Sequence, residues 1–241
     1  MTIKITNYDR LRKLKLPTHI TPELAYLCGV LAGDGSITYR KEHNEYCINC
    51  VGNPKDEKIF YHQIIAPLFK KVFGITLRIK YHHKHTTYGF SLYSKSIYLY
   101  FTQKIGLPTG VKHDTLHVPP RFLQKKTLTR AYLRGVFDTD GCISFKKKYQ
   151  TKPYYPVITL ASKSAPFIKE INNLLHKEGL HGAIVLNYHK RDPRAKRGYT
   201  QISSIDLNGT KNLFLWMNQI GFWSPKHLLK IRNWEEKNSE G

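Results

Sequence analysis

Apolar and polar positions along this chain follow two rhythms, and each rhythm returns in the second half. Ser36-Ile37-Thr38-Tyr39-Arg40 alternates with a period of two, which predicts a strand with Ser36, Thr38 and Arg40 on one face. A return strand is expected over residues 46–51, and Asn53-Pro54-Lys55-Asp56 reads as a turn and helix start. Phe60, Ile64, Leu68 and Val72 recur at helical spacing, so a helix is expected over 57–73. Leu77, Ile79 and Tyr81 alternate with Arg78, Lys80 and His82, and Phe90 and Leu92 alternate with Ser91 and Tyr93. They predict a second hairpin, followed by a helix over 96–105 that stops at Gly106.

The second half repeats this order. A strand over 143–148 puts Ser144, Lys146 and Lys148 on one face, and residues 157–160 return. A helix is expected over 165–178. Residues 184–189 match 77–82 position for position, which sets Val185, Asn187 and His189 opposite Arg78, Lys80 and His82. Residues 202–207 return, with a bulge expected at Ser203-Ser204. The last long helix is expected over 213–220, stopped at Gly221. Residues 112–124, with Pro119-Pro120, read as a linker between a first half, 1–111, and a second, 125–241. Residues 1–20 are a basic lead-in that reads equally as an extra helical turn, an arm on nucleic acid or a solvated tail.

Each half opens on the same nonapeptide. The copies are Leu27 to Gly35 (LCGVLAGDG) and Leu133 to Gly141 (LRGVFDTDG), each preceded by Ala-Tyr. Thr21-Pro22 starts the first helix, and Thr129 offers the same N-cap in the second. Gly35 and Gly141 are expected to close the helices with positive φ. Gly29 and Gly33 lie four apart, as do Gly135 and Thr139, so each helix has a small-residue face that can pack against the other. That packing would bring Asp34 and Asp140 together at two helix C-termini, which are already negative. Two carboxylates there repel unless a hard divalent cation binds between them. The fold class expected is α+β: two αββαββα halves related by a pseudo-twofold axis. The motif helices pack at the interface and antiparallel sheets form a saddle.

Charge sharpens the picture. Lys and Arg total 39 against 17 Asp and Glu, a net +22, which points to a polyanionic partner. No apolar run of about 18 residues offers a membrane span. No secretory signal is visible, and a transit reading of residues 10–15 is opposed by Asp9. Of the four cysteines, Cys47 and Cys50 form a lone C-x-x-C inside an expected strand and read as structural thiols. The cysteine usage suits a reducing, intracellular setting: cytoplasm, nucleoid or an organelle matrix.

The paired nonapeptides resemble the motif of the LAGLIDADG homing endonucleases, in the single-chain form with two motifs. Through the repeat, the resemblance covers nearly the whole chain. It departs at Ala32, where the family name has Asp, while Asp138 keeps it. The resemblance implies a monomeric, sequence-specific endonuclease. It would make a metal-dependent double-strand break in double-stranded DNA, at a long asymmetric target, as in homing of an intron or intein. It implies that Asp34 and Asp140 bind magnesium, with manganese as a substitute, helped by the carbonyls of Gly33 and Thr139. It implies a basic residue near each scissile phosphate, for which Lys95 and Lys211 are candidates, and water-ordering groups, for which Asn53 and Ser162 are. The wet sheet faces then contact DNA. Those of the first half carry Ser36, Thr38, Arg40, Arg78, Lys80, His82 and Lys84. Those of the second carry Ser144, Lys146, Lys148, Asn187, His189, Arg191, Arg194 and Arg197. The alternative is an RNA maturase acting on intron RNA, or a non-catalytic nucleic-acid binder on the same scaffold. A complete intein is not expected, because Met1 is no Cys or Ser nucleophile and the chain ends Ser239-Glu240-Gly241 rather than His-Asn.

Overall fold

In the computed structural model, residues 3–113, 115–148 and 152–239 are described. The lead-in is packed rather than loose. Its short helix α1 (Asn7–Leu11) is capped by Thr6, and buried Asp9 accepts from Ser94 Oγ at 2.9 Å. α2 (Pro22–Gly33) starts as its sequence predicts, with Thr21 Oγ1 accepting from Leu24 N at 3.3 Å. β1 (Gly35–Arg40) and β2 (Glu45–Gly52) follow as an antiparallel pair. One continuous helical segment then runs through α3 (Lys58–Phe60), a π-helical stretch (Tyr61–Ile65) and α4 (Ala66–Phe73). The expected strand from Leu77 is hydrogen-bonded only as β3 (Lys80–His82), which pairs with β4 (Thr87–Tyr93). α5 (Lys95–Leu99) continues π-helically over Tyr100–Ile105 and stops at Gly106, φ 95°.

The segment 112–124 is not a slack linker. Leu116, Val118 and Phe122 are buried, and Val118 N–H donates to Glu170 Oε2 at 2.8 Å. The second half repeats the first: α6 (Lys126–Thr139), β5 (Gly141–Lys148), β6 (Lys152–Ser162), α7 (Ala165–Lys177), β7 (Ala183–Arg191), β8 (Tyr199–Asn208) and α8 (Thr210–Gln219). The two four-stranded sheets have the same order, β1-β2-β4-β3 and β5-β6-β8-β7. In each, alternate residues such as Ile37, Ile48, Ile143 and Ile158 face the helices, and the other face is open.

Three expectations fail here. Thr129 is not an N-cap: α6 begins at Lys126, and Thr129 lies inside it, donating its hydroxyl to the Phe122 carbonyl at 2.7 Å. The bulge is on β7, where Leu186 and Asn187 together oppose Ser203; Asn187 has φ 55° and donates its N–H to Ser203 Oγ at 3.0 Å. A further helix, α9 (Pro225–Ser239), follows the one expected to be last. It is polar along much of its length, so its apolar stripe is thin, but Trp234 stacks on Phe145 at 5.2 Å.

α2 and α6 form the main helix–helix contact. A Cβ built on Gly29 would lie 2.2 Å from the Tyr132 carbonyl oxygen, and one on Gly135 would lie 2.2 Å from that of Tyr26. The contact is reciprocal, backbone against backbone, as an approximate twofold requires. Gly35 and Gly141 are glycines because the chain turns back tightly on its own preceding helix, and not for positive φ: a Cβ would meet Leu31 Cα at 2.6 Å and the Phe137 carbonyl oxygen at 2.3 Å. Gly135→Ala should therefore cost about 1–3 kcal/mol of unfolding free energy, the range for overpacking a closed core. Urea denaturation measures it; a loss below about 0.5 kcal/mol, typical of an unconstrained surface position, would mean the helices are not in backbone contact.

Candidate active site and nucleic-acid interface

Asp34 and Asp140 are the C-cap residues of α2 and α6, both right-handed helical, and a strand begins at the next residue of each. The crossing at Gly29 and Gly135 carries their helix ends to one place, where a Cβ on Gly33 would lie 3.4 Å from Asp140 Cγ. Burial, then Asp140, then Glu57 push the Asp34 carboxyl up to about 7, against the pull of Lys226 and Lys112. Burial raises Asp140 to about 6, opposed by the same two lysines. Asp140 is open to the cleft, so water screens it more than Asp34.

The basic residues at this centre are therefore Lys112 and Lys226. Lys112 Nζ donates to the carbonyls of Leu31, Ala32 and Gly33 at 3.2, 2.8 and 2.6 Å, seated on the negative end of α2. Burial lowers its pKa, while Asp140 and Asp34 hold its charge in place. Lys226 Nζ pairs with Glu57 Oε1. Lys95 and Lys211 are not brought here. Lys95 is exposed, 5.3 Å from the Tyr46 ring centre, and Lys211 is exposed on the first turn of α8. Lys112 and Lys226 were legible in one respect. Gly106 and Gly221 stop matching helices, and each is followed within a few residues by Lys-His, at Lys112-His113 and Lys226-His227. The internal repeat runs further than the helices it ends.

A cavity of about 480 Å³ opens at this point, lined by Gly33, Lys112, His113, Asp140, Ser162 and Lys163 among others. Ser162 is thus placed beside Asp140, although its Oγ also accepts from Ser164 N at 3.2 Å. Asn53 is exposed and engaged in its own turn: its Oδ1 accepts from Lys55 N at 2.9 Å and its N–H donates to Glu57 Oε2 at 2.8 Å.

The donor set suits a hard cation. It comprises two repelling carboxylates and the carbonyl ends of two helices, all oxygen, with one carbonyl, that of Gly33, already turned to a positive charge. Thr139 turns its hydroxyl inward, donating to the Gly135 carbonyl at 3.0 Å. Among the described residues no three His, Cys, Asp or Glu side chains gather as a metal group. The protein thus offers a partial shell of the kind magnesium completes with water and phosphate oxygens. Cys47 and Cys50 are buried free thiols, as expected.

On the open face of the first sheet, Ser36 is in register with Asn49 and Ser91, and Thr38 with Cys47 and Tyr93. Arg40, Arg78, Lys80 and Lys84 are exposed, and His82 is half-buried across from Thr87. His83, Lys84 and His85 form a left-handed tip. On the second sheet Ser144 and Lys146 share the open face with Thr159 and Asp206; Thr159 Oγ1 donates to Asp206 Oδ1 at 2.6 Å. The face is thus basic with one acid. Lys148 ends β5, and its side chain lies outside the described residues. The β7 bulge reverses parity beyond it. Tyr188 pairs with Ile202 and Lys190 with Thr200, on the side of Val185, while His189 and Arg191 turn to the other face and His189 packs on Tyr199 at 4.5 Å. This corrects the position-for-position match with residues 77–82. Arg194 and Arg197 are exposed in the β7–β8 turn.

Residues 127–213 match the LAGLIDADG-like domain family. Three solved structures share the fold. I-DmoI with its nicked target DNA and manganese is 17% identical, with TM-score 0.58, covering 83% of this chain and 95% of that one. I-WcaI bound to its DNA recognition sequence is 17% identical, with TM-score 0.57 and coverage of 92% and 91%. I-GzeII with its DNA target is 9% identical, with TM-score 0.54 and coverage of 90% and 89%. The family match covers the half that carries the second motif copy, Leu133 to Gly141, and the likeness to the solved structures over nearly the whole chain is one of fold. Curated relatives are the glutamine–fructose-6-phosphate aminotransferase of Methanocaldococcus jannaschii, 26% identical over 90% of this chain, and the ribonucleoside-diphosphate reductase NrdEB subunit alpha of Bacillus subtilis, 27% identical over 69%. The DNA polymerase of Thermococcus litoralis is 24% identical over 81%. This chain spans 18%, 15% and 10% of their lengths.

The raised carboxyls have a consequence for stability. Between the ordinary carboxyl range near 4 and about 7, the folded chain holds a proton at Asp34 that the unfolded chain has lost. Stability therefore falls as pH rises through that window, and replacing the carboxyl removes the fall. Metal-free Asp34→Asn should melt above the parent at about pH 8 and level with it near pH 4, and magnesium should narrow the gap at about pH 8. Differential scanning calorimetry at both pH values checks this; a variant that melts below the parent at the higher pH contradicts it.

Proposed function

We propose that this protein is a sequence-specific DNA endonuclease that makes a magnesium-dependent double-strand break at a long, asymmetric target, in the homing of an intron or intein. The observation that carries the reading is the meeting of Asp34 and Asp140 at the crossed ends of α2 and α6, between two open basic sheet faces. A divalent cation there would supply water activation and neutralise phosphate charge. Asp34 and Asp140 would hold it, helped by the carbonyls of Gly33 and Thr139, and Lys112 and Lys226 supply positive charge beside the two carboxylates. Ser162 can order water in the cavity. The open faces grip the backbone and read base edges. That I-DmoI and I-WcaI are described with their DNA targets supports this reading over one with intron RNA. The curated relatives have unrelated names and share only a minor segment with this chain, which fits a mobile module set within each. The reading puts the protein where its DNA is, in a cytoplasm, nucleoid or organelle matrix, as a monomer.

The primary test is cleavage of a library of duplex targets in magnesium. Asp34→Asn and Asp140→Asn should each slow double-strand cleavage at least about 100-fold, the scale of losing a main electrostatic group, while affinity in calcium is retained. Either variant cutting both strands at the parent rate refutes the shared-metal reading.

Target asymmetry follows from the two sheets. By strand register the first presents Lys80 and His82 where the second presents Val185 and Tyr188. Lys suits the acceptor edge of guanine, while Val suits a thymine methyl. Two palindromic targets, each one half-site duplicated, should be cut more slowly than the natural site. Equal cleavage of either would mean the halves read DNA alike.

A further inference from the structure

The two lysines beside the aspartates are held in different ways. Lys112 rests on main-chain carbonyls of α2, within the first half. Lys226 is paired with a carboxylate from the opposite half, Glu57. Glu57 is 6% exposed and is itself fixed: its second oxygen accepts the Asn53 N–H at 2.8 Å. Gly52 leaves room for it, since a Cβ there would lie 1.5 Å from Glu57 Oε2. Lys226 is also fixed from behind. Asp138 accepts the N–H groups of Trp223 and Ser224, at 3.0 and 3.1 Å, and so anchors the turn that leads into α9.

Among the described residues no carboxylate pairs with Lys112 as Glu57 does with Lys226. Ala32 stands at the motif position of Asp138. The residue before α7, matching Glu57 before α3, is Ser164, whose hydroxyl caps its own helix by accepting from Phe167 N at 3.3 Å. The pair is therefore a one-sided device built across the interface. Glu57 is buried and Lys226 half-buried, so removing the lysine strands a desolvated carboxylate.

We propose that Glu57 is a positioning residue for Lys226, holding its ammonium against the Asp34–Asp140 centre, and that this control acts on one of the two scissile phosphates only. The proposal rests on the endonuclease reading. It makes the two strand cuts chemically unequal, although both use the same pair of aspartates.

The test is single-turnover cleavage of a duplex labelled on each strand in turn, in magnesium. Parent protein that cuts no target overturns the endonuclease reading itself, whatever Glu57 does. Given a cutting parent, Glu57→Gln should slow one strand by about tenfold and leave the other within about twofold, the scale of losing a supporting partner. Lys226→Met should slow that same strand, and the double variant should be no slower on it than Lys226→Met alone. Glu57→Asp should recover part of the rate. Affinity for the duplex in calcium should be unchanged in all of them. Equal slowing of both strands, no slowing, or additive effects in the double variant overturn the proposal. If Glu57→Gln does not fold, Lys226→Met leaves the Asn53 turn intact and decides alone: selective slowing supports the proposal and equal slowing overturns it.

Discussion

The backbone contact between α2 and α6 is the constraint on which the rest depends. At Gly29 and Gly135 neither helix has a side chain between itself and its neighbour. That closeness brings the ends of both helices together, and the Asp that follows each has nowhere else to go. The strands start at once after each Asp, so both sheets are launched from the same point. Interface, acidic centre and sheet placement are thus one geometric decision. Glycine in a helix interior costs about 1 kcal/mol relative to alanine, and the chain accepts that cost at several positions in the motif helices.

The decision concentrates negative charge. Two helix C-termini, two carboxylates and Glu57 share a small region with Lys112 and Lys226. Such a centre opposes folding when empty, and the raised Asp34 carboxyl expresses that opposition. Active centres tolerate such stress because the rest of the fold over-determines it. Here the restraint comes from the reciprocal helix contact and from aromatic packing beneath it, with Phe137 on Trp216 at 4.5 Å and Phe122 on Tyr132 at 5.4 Å.

Much of this was legible in the order of residues, because the repeat supplied two readings of each element. The aspartates, the small-residue faces and the αββαββα order follow from local pattern alone. What was missed depends on partners far along the chain. Thr129 looks like an N-cap, but Phe122 and Lys125 take its hydroxyl once the preceding turn packs. The β7 bulge is set by Ser203 on another strand and moves Tyr188 and Lys190 to the face assigned to His189 and Arg191. Lys112 lies in an irregular segment and Lys226 in the first turn of α9, a helix that the apolar pattern does not predict, and only the repeated Lys-His after Gly106 and Gly221 marks them. Lys95 and Lys211 were favoured by position in sequence, yet both side chains stay at the surface.

One polypeptide carrying both halves need not keep them equal, and the interface shows where they have parted. Tyr26 donates to Asp138 Oδ2 at 2.7 Å, across the helix contact. Its counterpart Tyr132 faces the position of Ala32, and its buried hydroxyl has no partner among the described residues. Leaving such a group unsatisfied costs about 1–3 kcal/mol, so the loss of that carboxylate was not neutral for the interface. The change falls on the half whose lysine needs no anchored turn, because Lys112 reaches the α2 carbonyls directly. On the other side Asp138 keeps two roles, closing the hydrogen bond to Tyr26 and fixing the turn before Lys226. A motif position that is symmetric in origin has thus become structural support for one lysine and dispensable for the other. The one difference, Asp138 against Ala32, thus sets the two sides of the interface apart and also the support of the two lysines.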